Sequence, residues 1–181
     1  MSNQFTNEDY KFMTRALQLA EKAKGYTSPN PMVGAVIVKN DKIIGEGYHH
    51  KCGEAHAEVD AFNNATENVE GATMYVTLEP CSHTGKTPPC ADRLVCEGVK
   101  KVVICNVDPN PQVAGRGIAK LKAAGIEVVT GVLEKEGWEL NKRFFCLQEK
   151  HRPYVILKWA ETADGYIDWQ RGERREDFLC T

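Results

Sequence analysis

Short apolar runs rich in β-branched residues alternate with helical patterns along most of the chain. The strand-like runs cover 33–38, 42–48, 72–78, 101–107 and 126–129, and the helical patterns cover 6–25, 55–67, 90–97, 118–124 and 134–148. This order, α-β-β-α-β-α-β-α-β followed by a last helix, is typical of a sheet covered by helices on both faces. The sequence therefore predicts an α/β fold of three layers, α/β/α, around a mixed sheet of about five strands.

Local signals place several residues within these elements. Thr6 and Asp9 have the spacing of a capping box, which predicts the start of the first helix. The turn pair Asn40-Asp41 separates the first two strand-like runs and predicts a hairpin. The alanine-rich pattern over 55–67 places residues 56 and 58 in the first turn of a helix.

The periodic pattern breaks at Lys150-His151-Arg152-Pro153. Beyond the break, residues 154–159 predict one more strand, but the remaining segment is short and its 171–176 stretch is charged. A segment of this length cannot bury a core of its own. We therefore expect one complete domain over residues 1–149, followed over residues 150–181 by the truncated start of another.

The charge balance favours a small-molecule partner. The 181 residues include 23 Lys and Arg and 25 Asp and Glu, spread along the chain, with a formal net charge of -2. This provides no basic face for nucleic acid or an anionic membrane, and neither a leader pattern nor a run of about 18 apolar residues is present. The seven cysteines are an odd number without the density of a disulfide scaffold, which indicates a reducing compartment and a cytoplasmic protein. A homo-oligomeric assembly is left open.

One histidine and two cysteines have the composition of a catalytic zinc site. His56 precedes Glu58 by two residues, Pro80 directly precedes Cys81, and Cys90 follows nine positions later. One imidazole and two thiolates supply three ligands and leave the fourth position of Zn²⁺ open, as catalysis requires. Two thiolates neutralise the charge of the ion, so a carboxylate such as Glu58 is needed to take a proton from water. A His-x-Glu triplet is usually a pair of surface polar residues, and a cysteine pair nine positions apart is weak evidence alone, but the combination is typical of zinc deaminases.

The segment from Val76 to Cys90, VTLEPCSHTGKTPPC, extends this pattern. Together with residues 30–34 (NPMVG), the region ending at His49 and residues 108–111 (DPNP), it resembles the deaminase domain of the bifunctional deaminase/reductases of riboflavin biosynthesis. The resemblance covers about residues 8–147. Its specific feature is the eight residues between Cys81 and Cys90, because related cytidine and tRNA-adenosine deaminases resemble one another in having only two there.

The resemblance implies a cytidine-deaminase-like fold and a zinc cofactor, with His56, Cys81 and Cys90 as its ligands. It also implies hydrolysis of 2,5-diamino-6-(5-phosphoribosylamino)pyrimidin-4(3H)-one at C2, giving 5-amino-6-(5-phosphoribosylamino)uracil and ammonia. Glu58 would move the proton from water to the leaving amine. The substrate-binding residues that the resemblance implies are Asn30, His49, Lys86, Asp108 and Asn110. Residues 152–165 resemble the opening strand of the family's reductase domain. The resemblance fades after Ile167, so we infer no reductase activity for this chain.

Several assignments stay open at this stage. Lys86 is either a phosphate contact or an exposed loop lysine, His49 is either a pocket residue or the surface end of a strand, and His83 is undecided. We interpret Cys52 as a free thiol, since a fourth protein ligand would close the open zinc position. Two other functions are weighed: another nucleoside, nucleotide or tRNA deaminase, and a non-catalytic zinc-stabilised module. The first predicts a two-residue gap between the cysteines or a basic face, and the second predicts a fourth Cys or His ligand.

Overall fold

The computed structural model describes residues 5–82, 88–110, 114–161, 163 and 165. Its elements, in chain order, are α1 (Asn7–Glu21), β1 (Gly34–Lys39), β2 (Lys42–Tyr48), α2 (Ala57–Asn63), β3 (Thr73–Leu78), α3 (Cys90–Cys96), β4 (Lys101–Asn106), α4 (Arg116–Ala123), β5 (Glu127–Thr130), α5 (Glu134–Leu140) and α6 (Lys142–Lys150). Within these described ranges, no helix has the length and apolar character needed to cross a membrane.

Helix α1 begins at the predicted cap. The Oγ1 atom of Thr6 accepts a hydrogen bond from Asp9 N at 3.0 Å, and the Asp9 carboxylate accepts one from Thr6 N at 3.0 Å. This reciprocal pair satisfies N–H donors that a helix start otherwise leaves without partners. The buried face of the helix, including Phe12, Met13 and Ala16, packs on the sheet.

The five strands form one mixed sheet in the order β2-β1-β3-β4-β5. Strand β1 is antiparallel to β2 and β3, whereas β3, β4 and β5 run parallel. Alternate residues of the central strands enter different cores: Val36 and Tyr75 pack with α1, and Ile37 and Met74 pack with residues of α2 and α3. Because helices cover both faces, the predicted three-layer α/β/α fold is confirmed.

Four of the strands have one end at the same edge of the sheet. Strands β3 and β4 are parallel, so their carboxyl ends, at Leu78 and Asn106, lie side by side. Strand β1 runs opposite to β3, and β2 runs opposite to β1, so the start of β1 and the end of β2 reach the same edge. In open α/β sheets, ligands bind where parallel strands end. The fold therefore brings together segments that are far apart in sequence.

The helix predicted over 55–67 is shorter in the structure, where α2 spans Ala57–Asn63. His56 is its N-cap, with an extended backbone (φ -70, ψ 158), and lies outside the first turn in which the sequence placed it. The helix ends early because the chain returns to the sheet, where Thr66 N donates to Ile44 O at 2.8 Å.

The C-terminal elements also differ from the prediction. The single helix expected over 134–148 is two helices, α5 and α6, because Asn141 leaves the helical path (φ -109, ψ 25) and bonds a distant backbone segment. Residues 154–159 form no strand, since no described strand pairs with them; Val155 and Leu157 are exposed. The division of the chain at residue 150 stays a prediction.

Candidate metal and active site

Three side chains from separate elements meet at this edge of the sheet. His56 caps α2, Cys81 follows β3, and Cys90 is the first residue of α3. The His56 Nδ1 atom lies 3.6 Å from Cys81 Sγ and 3.3 Å from Cys90 Sγ, and all three ligand atoms lie within 4.8 Å of one another. In a tetrahedral site with bonds of about 2.0 Å to nitrogen and about 2.3 Å to sulfur, such atoms stand roughly 3.5–3.8 Å apart.

The chemistry and spacing of these side chains therefore fit zinc. The described residues add no fourth His, Cys, Asp or Glu to the group. Cys52 is exposed and outside it, as the sequence predicted. Three protein ligands are the number typical of a catalytic zinc site, whereas structural sites have four.

Hydrogen bonds around the cysteine pair favour negative charge on sulfur. Because Cys90 opens α3, its N–H has no partner inside the helix and donates to Cys81 Sγ at 3.3 Å. A hydrogen bond with Cys90 lowers the pKa of the Cys81 thiol to about 4, and the same bond, with burial, raises the pKa of the Cys90 thiol. The hydrogen bond with Cys81 raises the pKa of His56. These hydrogen bonds stabilise a thiolate on Cys81. A metal cation bound between the three side chains would stabilise a second thiolate, on Cys90.

Glu58 lies beside this group, in the first turn of α2, and is only 4% exposed. Helix α2 approaches β2 closely because Gly47 has no side chain; a Cβ there would overlap the backbone of Ala57 and Ala61. Burial raises the pKa of Glu58 to about 7, against the opposing influence of His56. A carboxyl group with such a pKa can accept and return a proton near neutral pH.

Asn30 and His49 are joined by a hydrogen bond. The Asn30 Nδ2 atom lies 3.3 Å from His49 Nε2, and His49 Nδ1 lies 2.9 Å from Ala55 O. Because a carbonyl oxygen only accepts, Nδ1 carries the proton and Nε2 accepts from the Asn30 amide. His49 is buried, so it is not the exposed strand end that the sequence left open.

Asp108 and Asn110 follow the carboxyl end of β4. Asn110 N donates to Asp108 Oδ1 at 2.9 Å, and Ala114 N donates to Asn110 O at 2.8 Å. A turn in which an Asp side chain bonds the backbone two residues later has a defined shape. It holds both predicted substrate residues at the edge where Cys81 leaves the sheet.

These residues line one cavity of about 340 Å³, a volume within the usual range for small-molecule sites. Its lining comprises Asn30, Pro31, Val33, His49, His56, Ala57, Glu58, Leu78, Glu79, Cys81, Asp108, Asn110 and Phe144. Cys90 is buried beside it. None of these lining residues, all from the described part of the chain, is a Lys or Arg. Lys86 and His83 lie outside the described residues, so their predicted roles are not tested by the structure.

Sequence reasoning missed three residues at this site. Glu79 lines the cavity and accepts hydrogen bonds from a later segment of the backbone. Asn141 clamps the loop that contains Asn30: its amide accepts from Met32 N and donates to Met32 O, both at 2.8 Å. Phe144, from α6, adds an apolar wall. Two of them had a signal in the sequence. Glu79 is an acid directly after a buried strand, where a charged group needs partners, and Asn141 lies inside a helical pattern.

Comparison with known proteins adds independent findings. A family model described as the cytidine and deoxycytidylate deaminase zinc-binding region matches residues 6–106. The chain is 56% identical over 159 residues to riboflavin biosynthesis protein RibD of Aquifex aeolicus (strain VF5), covering 88% of this chain and 45% of that protein. It is 51% identical over 138 residues to the diaminohydroxyphosphoribosylamino-pyrimidine deaminase of Buchnera aphidicola subsp. Schizaphis graminum, covering 76% of this chain and 94% of that protein.

A solved structure is similar over the same region. The RibD of Acinetobacter baumannii matches with a TM-score of 0.84 and 52% identity, over 87% of this chain and 44% of that one. The chain therefore spans less than half the length of these RibD proteins and nearly all of the Buchnera deaminase.

Proposed function

The chain belongs to the family of the cytidine and deoxycytidylate deaminase zinc-binding region, and we propose that it removes a 2-amino group from a phosphorylated pyrimidine by hydrolysis. The proposed substrate is 2,5-diamino-6-(5-phosphoribosylamino)pyrimidin-4(3H)-one. The observation that carries the proposal is the buried carboxyl of Glu58, which lines the same cavity as His56 and Cys81. The identity with the Buchnera deaminase supports the choice of substrate.

The proposed metal ligands are His56, Cys81 and Cys90. Zinc held by these side chains would supply the Lewis acidity that makes water a stronger acid. Two thiolates reduce that effect, so the protein must provide a base of its own. A non-catalytic zinc module would have no use for a buried carboxyl group beside three ligands and a cavity.

Glu58 performs both proton transfers in this proposal. Its carboxylate takes a proton from the water whose oxygen bonds to C2, and its carboxyl group then returns that proton to the departing nitrogen. The C2–N bond to the amine breaks, and ammonia leaves with the hydrogens of the amine and the transferred proton. The second water proton, on the C2 hydroxyl, passes to the neighbouring ring nitrogen as the C2–O carbonyl forms. A pKa of about 7 suits one group to both directions of transfer.

Polar groups on the cavity wall supply orientation. We assign Asn30, His49, Asp108 and Asn110 to the heteroatoms of the ring and ribose, with Val33, Leu78 and Phe144 as apolar walls. Since the described lining provides no cationic side chain, the phosphate requires a cation from another part of the chain. Lys86, between the two cysteine ligands, is the residue we propose.

The proposal includes a cytoplasmic location and a small-molecule substrate. All six cysteines within the described ranges are free, which supports the reducing environment of a cytoplasmic enzyme. A small-molecule substrate, rather than nucleic acid, agrees with the balanced charge of -2.

Ammonia release tests the proposal directly. Zinc-loaded protein is compared on the diaminopyrimidinone phosphoriboside, deoxycytidylate, cytidine and adenosine, with chelator-treated protein as the blank. We expect turnover of the first compound and at least 100-fold lower kcat/KM on the others, about 2.7 kcal/mol of discrimination. Preferred turnover of any of the other three would replace the substrate proposed here with that compound.

A further inference from the structure

Glu79 is a buried acid whose carboxylate is surrounded by backbone N–H groups. It is 4% exposed. One oxygen, Oε2, lies 3.3 Å from Asp108 N and 3.0 Å from Gly115 N. The other, Oε1, lies 3.0 Å from Gly117 N and 3.2 Å from Ile118 N.

The four donors belong to a later part of the chain. They lie on the segment between the end of β4 and the first turn of α4, which is 29 to 39 residues from Glu79. Gly115, the N-cap of α4, has no side chain with which to satisfy the first N–H groups of the helix. Glu79 satisfies them from the neighbouring strand end, where its own N–H donates to Asn106 O at 3.0 Å.

Both sides of this connection belong to the site. Glu79 is two residues before the candidate ligand Cys81, and the donor segment starts at Asp108, which lines the cavity. The backbones also approach closely at Gly117, where a Cβ would overlap the carbonyl oxygen of Pro80. The Glu79 carboxylate therefore bridges the Cys81 segment and the segment that begins at Asp108.

Glu79 has no capacity left for a second role. An ionised carboxylate offers about four lone-pair sites, and four N–H groups already occupy them. It therefore lines the cavity without a free acceptor site for a substrate donor.

We propose that Glu79 is a positioning residue that holds the substrate-contacting segment beginning at Asp108 in register with the Cys81 segment. The inference rests on the proposed deaminase function for its kinetic readout. Its structural readout does not, because the four backbone amides report on Glu79 in the absence of any substrate.

The test compares Glu79→Gln with Asp9→Asn. Asp9 is also 4% exposed and also accepts a backbone N–H, but it lies at the start of α1 and does not line the cavity. The Gln side chain turns an NH₂ group toward two of the four donors. In Glu79→Gln, we expect backbone amides of the peptide covering 107–118 to exchange hydrogen faster than in the parent. In Asp9→Asn, the same peptide should exchange at the parent rate.

The kinetic arm separates positioning from general loss of stability. At a temperature well below both melting points, Glu79→Gln should raise KM at least tenfold, keep kcat within about threefold and retain one zinc per chain, while Asp9→Asn should keep KM. Glu79→Asp, which keeps the charge on a shorter side chain, should recover part of the KM loss.

The outcomes are distinct. If the parent releases no ammonia from the substrate, the proposed function fails, and hydrogen exchange still decides the positioning role. If the parent is active but Glu79→Gln keeps KM within twofold and exchanges like the parent, the positioning role is wrong. If neither Glu79 variant folds, the residue serves stability rather than site geometry, which also overturns the inference.

Discussion

Replacing Glu58 by Gln tests the centre of the proposed chemistry. The amide is close to the carboxyl group in volume, and Glu58 is not among the three candidate ligands. Packing and zinc binding should therefore be preserved. The amide cannot accept a proton from water, so only the two proton transfers are removed.

The size of the loss follows from the position of Glu58. General acid–base catalysis typically contributes about 10²–10⁴-fold, or about 2.7–5.5 kcal/mol of barrier. Burial raises the pKa of Glu58 to about 7, and in this proposal it acts on both water and amine. We therefore expect kcat to fall by at least about 10³-fold with little change in KM, because the lost interaction belongs to the transition state.

The same substitution should not destabilise the protein. The folded pKa of Glu58, about 7, lies above its ordinary value of 4.5. Such a group contributes stability that is present below pH 4.5 and is lost as the pH rises toward 7. The difference corresponds to about 3 kcal/mol. In chelator-treated protein at pH 8, the non-titrating Gln variant should therefore unfold at higher urea concentration than the parent.

The assay is steady-state ammonia release by zinc-loaded protein whose metal content has been verified. Asp9→Asn is the matched control, because it makes the same change at an equally buried acid outside the cavity; its kcat should stay within about twofold of the parent. A kcat for Glu58→Gln within about tenfold of the parent, below the usual range for acid–base catalysis, would refute the role of Glu58 as proton carrier. Lower stability than the parent at pH 8 would contradict the electrostatic argument.

Four further predictions follow from the site and its surroundings. Cys90→Ser should weaken zinc binding by more than the roughly 10- to 100-fold typical of residues behind the ligands; elemental analysis that finds full zinc retention would remove Cys90 from the ligand set. Lys86→Ala should raise KM for the phosphorylated substrate by about 10- to 150-fold; an equal loss on a dephosphorylated analogue would indicate a structural role. Asn141→Asp removes the donor to the partly buried Met32 carbonyl and should lower the free energy of unfolding by about 1–3 kcal/mol in urea titrations; a change below about 0.5 kcal/mol, the usual effect at a neutral surface site, would show that the clamp is unimportant. Burial raises the pKa of Cys105 to about 12, so iodoacetamide at pH 8 should modify exposed Cys52 well before Cys105 in the folded protein, as followed by mass spectrometry, and equal rates would contradict the burial.

The hydrophobic pattern of the sequence predicted the order and the approximate bounds of most helices and strands. Hydrophobic periodicity and the Thr6–Asp9 capping box indicated the first helix, the hairpin and the remaining strands to within a few residues. These features are local, because each depends on residues within one or two turns or strand repeats. The ligand types were also readable, since His, Glu and Cys in that order and spacing belong to one kind of zinc chemistry.

Long-range contacts explain where the prediction failed. An Asn inside the helical pattern over 134–148 was too weak a signal to predict the break at Asn141, because the break depends on the contact of its amide with Met32, 109 residues away. The run at 154–159 has the composition of a strand but no partner among the described strands. Helix and strand propensities depend on the residues themselves, whereas the formation of a strand or the end of a helix also depends on the segments that pack against it.

The residue types that can bind zinc and carry a proton were determined by the sequence alone. Only the tertiary structure decided how His56 and the two cysteines meet, that burial raises the pKa of Glu58, and that Glu79 joins two strand ends. The physical reason is that hydrogen-bond partners and desolvation depend on distances between segments far apart in the chain. Those distances follow from the strand order of the sheet, on which the local pattern carries no information.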